Sequence, residues 1–558
     1  LLAITSIIAV GITCFVSMQS AYHNLSSAKT RYYQACRMAD FWIDLKKAPR
    51  AELAAIAELP GVKSAQSRIQ FYATADIEGQ LQPINSLVIS LPERRSAATI
   101  NGVLLEQGDY FSGRRDNETI VNAAFAKAHR IVPGDTVHLL LNNRRQELFV
   151  VGTAISSEFA WLLGPGALIP DPKRFGVFYV RENYAEDVFD FDGAANQVVG
   201  LLAPDVGEGA DEVLRRAETT LEPYGVFSTT PLLLQGSHQF LNGDLQGLGS
   251  IAVVVPTIFL AVAALVLNVL ITRLARQQRT VVGTLKAMGY SDGAIFAHFL
   301  QYGLAIGAAG GLLGCGMGYF AAYGLTLVYD HYYTFPDLEN QFHWATNLIG
   351  MAVSIACAEV GSVYGAWSML KLQPAAAMRP EPPVHGRAVL LERIRPLWTR
   401  LSSSWRMALR GMARNRLRSI ASTFAAAMGS ALLVSGFMMT EAQYYFLDFE
   451  FGRTAKNDLE VTFADKQAED ALWEIRSLPG VARAEPVLNI GCTFVNGPYR
   501  RKGGISGISP ESQLTVPHDS AGRPIRIPDS GLVLTKYLAQ LLHVGPGDSL
   551  TVEPVEGE

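Results

Sequence analysis

The stretch RQQRTVVGTLKAMG at residues 276–289 sets Arg276, Arg279 and Lys286 along a short run of helix formers, with Gly283, Leu285, Met288 and Gly289 between and after them. Cations in that pattern make contacts with a partner surface; they do not make or break bonds. Farther on, Arg406, Arg410, Arg414 and Arg418 recur every four residues and share one helical face, with Trp405, Leu409, Met412 and Leu417 mostly on another. A helix of that kind is expected to lie in the headgroup layer, where each basic residue near an anionic surface contributes about 1 kcal/mol, and contact with a soluble partner is the alternative, which it does not exclude. Two glycine tracks, Gly303, Gly307, Gly311 and Gly310, Gly314, Gly318, have the four-residue spacing that lets helix backbones approach closely.

Glu359 is the single acidic residue of the apolar stretch 340–370. A charge at mid-bilayer costs about 2.5–3.5 kcal/mol on insertion scales, so it must face protein or water, or carry a proton. It reads either as a polar contact for a substrate or as a hydrogen-bonded link between helices beside Ser362, and the link is the expectation. Asn268 and Pro256 read as packing and kink features. Covalent chemistry has nothing to rest on. There is no Gly-x-x-x-x-Gly-Lys-(Ser/Thr) phosphate loop, no His-Glu-x-x-His, no Gly-x-Ser-x-Gly and no cysteine pair at zinc spacing. The chain is therefore expected to bind neither ATP nor a metal, and to be no enzyme. No nucleic-acid partner is expected either.

These residues sit on elements that the apolar runs define. Of 558 residues, 49% are hydrophobic and 18% charged, against about 25% charged in soluble domains. Residues 1–28, 245–272, 293–329 and 419–440 contain no Asp, Glu, Lys or Arg. A helix needs about 20 such residues to cross a bilayer, so five spans are expected, near 1–22, 248–272, 295–328, 345–370 and 419–441. The first run is long and lacks a basic start, which argues against a cleaved signal peptide. Leu1 already lies inside an apolar run and SLTVEPVEGE stops in a strand-like stretch, so the chain is expected to be cut at both ends.

Short loops set the orientation. Residues 273–292 carry four Lys or Arg against Asp292, and 371–418 carry eleven against Glu381 and Glu392. Both are expected to be cytoplasmic. The loop 329–343 carries Asp330, Asp337 and Glu339 and no Lys or Arg, so it faces out. Two large segments then lie outside.

Those segments repeat. ADFWIDL, a helix-like RAELAAIAEL and LPGV in the first correspond to KNDLEVTF, KQAEDALWEIRS and LPGV in the second. ETIVNAAFAKAHRIVPGDTVHL likewise corresponds to SGLVLTKYLAQLLHVGPGDSLTV. Shared order at nearly constant spacing implies a tandem of one unit. The external parts read as mixed α/β: a hairpin over 135–155 turning at Asn142–Asn143, a buried strand at 84–91, and helices near 50–59 and 118–130. The Gly-, Pro- and Asp-rich stretch 157–220 is not assignable. Cys14, Cys315 and Cys357 fall in spans; Cys36 and Cys492 fall in different external segments, and a bridge between them is not expected.

One external domain after the first helix of a four-helix unit resembles the FtsX-like permease family, which includes MacB-type and lipoprotein-releasing ABC transporters. RQQRTVVGTLKAMGYSDGAI at 276–295 is similar to the family's cytoplasmic segment after the second helix, with Gly283, Leu285, Lys286, Ala287, Met288 and Gly289 fitting. Val281 stands where the family has Glu. KLQPAAAMRPE at 371–381 resembles the family's exit from the fourth helix. The resemblance implies a membrane α-helical bundle with large MacB-like extracytoplasmic α/β domains. The implied layout is a span at 1–22, a first external domain at 23–246, and spans with a coupling segment (273–294) over 247–372. A cytoplasmic linker at 373–418 with a basic helix at 405–418, a span at 419–441 and a second, incomplete external domain at 442–558 follow. It also implies a permease subunit in the bacterial cytoplasmic membrane, driven by a separate ATPase dimer that holds the ATP and Mg. Arg276, Arg279, Gly283, Leu285, Lys286, Met288 and Gly289 would contact that ATPase. The cargo would be hydrophobic: a lipid, lipoprotein, peptide or drug. A periplasmic adaptor or substrate-binding protein is a further candidate partner. The alternative is a transmembrane regulator of a cell-wall hydrolase that transports nothing.

Overall fold

A computed structural model describes residues 2–77, 84–165, 167, 169–370, 398, 402–414, 416–463 and 467–554. The chain forms two compact units. One comprises residues 1–34, 159–161 and 237–435, and the other 35–158, 162–236 and 436–558.

The first helix, α1 (Leu2–Cys36), continues fourteen residues beyond the expected end of its span at residue 22. The extension contains neither Gly nor Pro, and it stops where Arg37 takes a left-handed φ of 50°. The chain then enters a split βαβ arrangement. Strand β1 (Phe41–Pro49), helix α2 (Arg50–Ala55) and strand β2 (Val62–Arg68) form its first half. Before the second half comes an insertion. Its elements are β3 (Gln70–Asp76), β4 (Ile84–Leu91), β5 (Val103–Gly108), β6 (Glu118–Asn122), α3 (Ala123–His129), β7 (Thr136–Leu141), β8 (Arg144–Ser156), β9 (Phe175–Arg181) and α4 (Glu182–Phe189). Strand β10 (Ala194–Leu202), helix α5 (Ala210–Leu221) and strand β11 (Val226–Pro231) complete the split motif.

The four-stranded sheet of the split motif runs β11-β1-β10-β2, every pair antiparallel. That is the order a β-α-β-β-α-β chain gives when its two βαβ halves interleave. The inserted strands run β5-β8-β6-β9-β4-β3-β7, and β7 pairs back onto β8, which closes the sheet. The hairpin turns at Asn142 and Asn143, with φ of 47° and 58°. Positive φ at both central positions suits the right-handed twist of the strands. Residues 118–130 are not one helix. Thr119, Ile120 and Val121 are β-branched and fully buried in β6, and α3 starts only after Asn122, whose side chain accepts from the Ala124 and Phe125 amides. The stretch 157–220 holds β9, α4, β10 and most of α5.

The long helices follow: α6 (Gly236–Gln277), α7 (Arg279–Ala287), α8 (Asp292–Tyr332), α9 (Trp344–Leu370), α10 (Ser403–Arg414) and α11 (Arg416–Leu447). Five helices among the described residues, α1, α6, α8, α9 and the one entered at α11, are long and apolar enough to cross a membrane. The core of this unit gathers Ile4, Ile8, Ile12 and Val16 of α1 with Leu260, Ala263, Leu267 and Ile271 of α6 and Phe299 and Ile306 of α8. The expected basic helix 405–418 is described as α10 up to Arg414 and as the start of α11 from Arg416, with residue 415 outside the described residues. The exit string at 371–381 lies outside the described residues.

The last segment contains α12 (Asp470–Ser477), β12 (Val487–Asn496), β13 (Tyr499–Ile508), α13 (Lys536–Leu542) and β14 (Thr551–Pro554). It repeats the first domain in detail. Gly61 and Gly480 of the two LPGV strings both take φ 94°. Arg130 and His543 both cap their helices in left-handed geometry, and Gly134 and Gly547 both turn with φ near 100°. Asp135 accepts from the Val132 amide as Asp548 does from Gly545. Strand β3 lies between β4 and β7, and β12 between β13 and β14. The register is kept: Thr74, Ala75 and Asp76 face Leu140, Leu139 and His138, while Thr493, Phe494 and Val495 face Glu553, Val552 and Thr551. Three correspondences fail among the described residues. Residues 456–463, 481–486 and 531–535, which stand opposite β1, β2 and β6, form no strand. In the first domain β1 is held between β10 and β11, and no such pair exists among the described residues of the last segment.

Candidate functional site

The candidate coupling segment is a short helix at the elbow between α6 and α8. Helix α6 breaks at Gln278, and α7 closes with the Gly289 amide on the Lys286 carbonyl and the Tyr290 amide on the Leu285 carbonyl. Those two bonds require Gly289 to be left-handed, and its φ is 92°. Ser291 then caps α8 by accepting from the Ala294 amide at 3.3 Å. Val282 and Gly283 are buried, and Val282 joins the same apolar core as Ala275 of α6 and Ile295 of α8. The opposite face is apolar and open. Val281 is 59% exposed and Met288 70%, and Tyr290 just beyond is 54% exposed. Positions 281 and 288 stand two turns apart on one side of α7.

The basic residues of this segment behave differently from one another. Lys286 turns inward, its side chain only 8% exposed, and pairs with Asp292 at 2.7 Å. It braces the elbow rather than presenting a cation outward. Arg276 is exposed, while Arg279 and Leu285 are half-buried. The outward chemistry is thus more apolar than the charge pattern implies, because Lys286 has an acidic neighbour one short turn away.

Helix α8 uses its glycines on two sides. A Cβ on Gly303 would meet Ser362 Oγ at 2.5 Å, on Gly307 the Ile355 Cα at 2.8 Å, and on Gly311 the Met351 Sδ at 2.7 Å, all on α9. A Cβ on Gly310 would meet Ile8 Cγ2 at 2.9 Å, on Gly314 Ile12 Cβ at 2.6 Å, and on Gly318 Val16 Cβ at 2.7 Å, all on α1. Ser354 Oγ donates to the Gly307 carbonyl at 2.6 Å across the α8–α9 seam. Backbones this close leave no room for an aqueous path between α8 and either neighbour.

Glu359 on α9 is half-buried, and its Oε2 is buried without a hydrogen-bond partner. The expected bond to Ser362 is not made, because the Ser362 hydroxyl donates to the Ala358 carbonyl of its own helix at 2.8 Å. Asn268 is half-buried on α6, and its carbonyl accepts from Thr272 Oγ1. Pro256 is buried within the same helix. On α10, Arg406 is half-buried and Arg410 lies over the Trp398 ring at 5.5 Å, with Trp405 and Met412 exposed. The side chains of Arg414 and Arg418 lie outside the described residues. All five cysteines are free. Among the described residues no group of three His, Cys, Asp or Glu is disposed to hold a metal.

A polar node was missed in the sequence. Asn24 of α1, nearly fully buried, donates to Thr326 Oγ1 of α8 and to Asn340 Oδ1. It accepts from the Gln341 amide and from His343 Nε2 at 2.7 Å. It ties α1 to the loop between α8 and α9. The available signal was weak: Asn24 is one of two amides, with Gln19, in the uncharged run 1–28. In the sheet-bearing unit two carboxylates are held by converging donors. Burial alone would raise Glu118, but Ser112 Oγ and the Gly113 and Ser112 amides outweigh it and keep it below the usual glutamate range. Burial likewise opposes ionisation of Glu485, yet Ser512 Oγ, the Gln513 and Leu514 amides and Arg483 bring it down to about 2.

Residues 253–374, from within α6 past the end of α9, match the sequence model of the FtsX-like permease C-terminal family. No curated protein matches the chain. Solved structures similar to it include the periplasmic region of MacB from Actinobacillus actinomycetemcomitans, at 10% identity over 37% of this chain and 92% of that one, with a TM-score of 0.24. The extracellular domain of the noncanonic ABC-type transporter YknZ from Gram-positive bacteria is similar at 13% identity, over 33% and 94%, with a TM-score of 0.23. A domain of a putative permease protein from Porphyromonas gingivalis is similar at 16% identity, over 32% and 83%, with a TM-score of 0.21.

Proposed function

We propose that this chain, with its FtsX-like permease domain at 253–374, is the membrane subunit of an ABC-type transporter whose ATP is burned by a separate cytoplasmic ATPase dimer. The supporting observation is the elbow at α7. Its open face carries Val281 and Met288, and its other face is fixed into the core shared by α6 and α8. An apolar face that water would otherwise wet gains from a protein partner. A push on a short helix that follows α6 directly and is closed at Gly289 before α8 passes into two membrane helices at once.

In this reading the bilayer is the bacterial cytoplasmic membrane. Residues 273–294 and 373–418 face the cytoplasm, and 23–246 and 442–558 face outside. ATP and Mg belong to the partner. Movement of the helices shifts the external domains and expels a hydrophobic cargo (lipid, lipoprotein, peptide or drug) from outside or from the outer leaflet. The glycine-sealed seams of α8 favour that route over a water-filled channel. The test is ATP hydrolysis by the reconstituted complex. Stimulation by an amphipathic cargo supports the reading, and a rate indifferent to every such compound opposes export.

A further inference from the structure

Where α1 and α6 meet, four polar side chains form a relay. Lys29 Nζ of α1 donates to Asn242 Oδ1 of α6 at 2.5 Å. That bond fixes the Asn242 amide, whose Nδ2 donates to His238 Nε2 at 2.6 Å. A neutral imidazole that accepts at Nε2 carries its proton on Nδ1. His238 Nδ1 therefore donates to the Tyr33 hydroxyl oxygen, 3.1 Å away on α1. The Tyr33 proton is then left for a further acceptor. Tyr33 follows Lys29 by one helical turn, and the Lys29 ammonium stands 5.5 Å from the centre of the Tyr33 ring. His238 is buried, while Lys29 and Tyr33 are only half-buried.

This cation has no counter-charge. Helix α1 contains no Asp or Glu, and α6 contains only Asp244. Asp244, two residues from Asn242 and so on another face of α6, accepts from the Tyr333 hydroxyl at 2.7 Å. Among the described residues Lys29 forms no ion pair. Arg31, the next cation along α1, donates instead to the Asp337 carbonyl at 3.2 Å. The relay thus presents an ammonium and a phenol proton side by side with nothing negative between them. Such a pair favours an anionic oxygen.

The depth of the pair narrows the ligand. Lys29 lies past residue 22 and Asn242 lies before residue 248, the expected ends of the two spans, each by about 10 Å of helix. Side chains of α1 tilt towards its N-terminus, here towards the bilayer, so the ammonium reaches back to the headgroup layer. The same faces continue into the membrane as Tyr22 and Met18 on α1 and Gly249 and Val253 on α6. A Cβ on Gly249 would lie 3.8 Å from Tyr22 Cε2, so these faces adjoin, and Val253 is 60% exposed. An acyl chain has an apolar surface to follow directly below the cation. With no carboxylate in the relay, the ammonium of a zwitterionic headgroup finds no partner there.

We propose that Lys29 and Tyr33 bind the phosphate group of an anionic lipid where α1 and α6 meet. The site requires only that α1 and α6 cross a bilayer, so its loss leaves the ATPase-driven reading standing. The full chain is purified in detergent and titrated with dioleoylphosphatidylglycerol, and bound lipid is counted by native mass spectrometry. The wild type binds this lipid about tenfold more tightly than dioleoylphosphatidylcholine or dioleoylglycerol. Lys29→Gln, which can still donate to Asn242, weakens that binding about tenfold, and Tyr33→Phe weakens it about threefold. Arg31→Gln leaves it within about twofold. Equal binding by wild type and Lys29→Gln, or an equal loss in Arg31→Gln, overturns the proposal. Inorganic phosphate separates the two sources of the group. Failure to compete at millimolar concentration assigns the site to the lipid headgroup, and Lys29-dependent competition assigns it to soluble phosphate and overturns the lipid. If Lys29→Gln is not recovered folded, Tyr33→Phe is read in its place.

Discussion

Gly314 of α8 backs onto Ile12 of α1 so closely that a Cβ on the glycine would lie 2.6 Å from the isoleucine Cβ. Both atoms belong to helix interiors, so neither can yield by a rotamer change. Overpacking of this kind costs about 1–3 kcal/mol. Gly314→Ala is expected to lower the melting temperature of the detergent-solubilised chain, and Gly314→Leu to prevent assembly. Gly316, two residues on, meets nothing within 4 Å. Gly316→Ala should leave the melting temperature within the scatter of the wild type.

Gly289 closes α7 in left-handed geometry, at φ 92°. Any L-residue there costs about 1–2 kcal/mol. Gly289→Ala is expected to destabilise the elbow by that amount and to reduce ATP hydrolysis by the complex more than it reduces the melting temperature. Equal loss of both would mean that the elbow matters only for folding.

Glu359 is expected to tolerate amidation. One of its carboxylate oxygens has no partner, and an ionised carboxylate in an apolar span is the costlier group. Glu359→Gln should therefore melt no lower than the wild type. A clear fall would reveal a bond to the carboxylate and restore the polar-contact reading.

Stability of the last segment should depend on acid through Glu485. Its folded value is about 2 against an ordinary 4.5, so the native state binds its proton less readily than the unfolded one. That contribution is fully present above about pH 4.5 and fades as the pH falls towards 2. Thermal melting of wild type and Glu485→Gln, compared at several pH values, checks this. The gap between them should be widest near neutrality and close towards pH 2. A gap independent of pH would contradict the assignment.

The sequence carried the long-range order of the molecule better than its contacts. Uncharged runs marked the spans, since no other element tolerates so many apolar residues in succession. The words LPGV and PGD marked the duplication, since both contain a glycine whose positive φ no other residue adopts cheaply. The two glycine tracks were legible as close-packing positions by their spacing, while the helix that each one meets was not. The fate of charged and polar side chains was not. Lys286 looked like an outward cation until Asp292 was found beside it. Glu359 and Ser362 stand one turn apart, yet the serine prefers its own backbone. Asn24 gathers partners from residues 326–343, and Trp161 from residues 237–333. Such pairings depend on tertiary geometry that local spacing does not encode.

The central claim is that a soluble ATPase drives this chain through the open face of α7, and Met288 is the residue to probe. The measurement is ATP hydrolysis by the complex recovered when the full chain is purified with its ATPase, for wild type and for Met288→Glu, which places a charge on an exposed position without touching the buried face. The account expects a bound, active ATPase with the wild type and at least a tenfold loss of bound activity with the variant, at unchanged melting temperature. A variant that retains full activity, or a wild-type chain with which no ATPase travels, would contradict it.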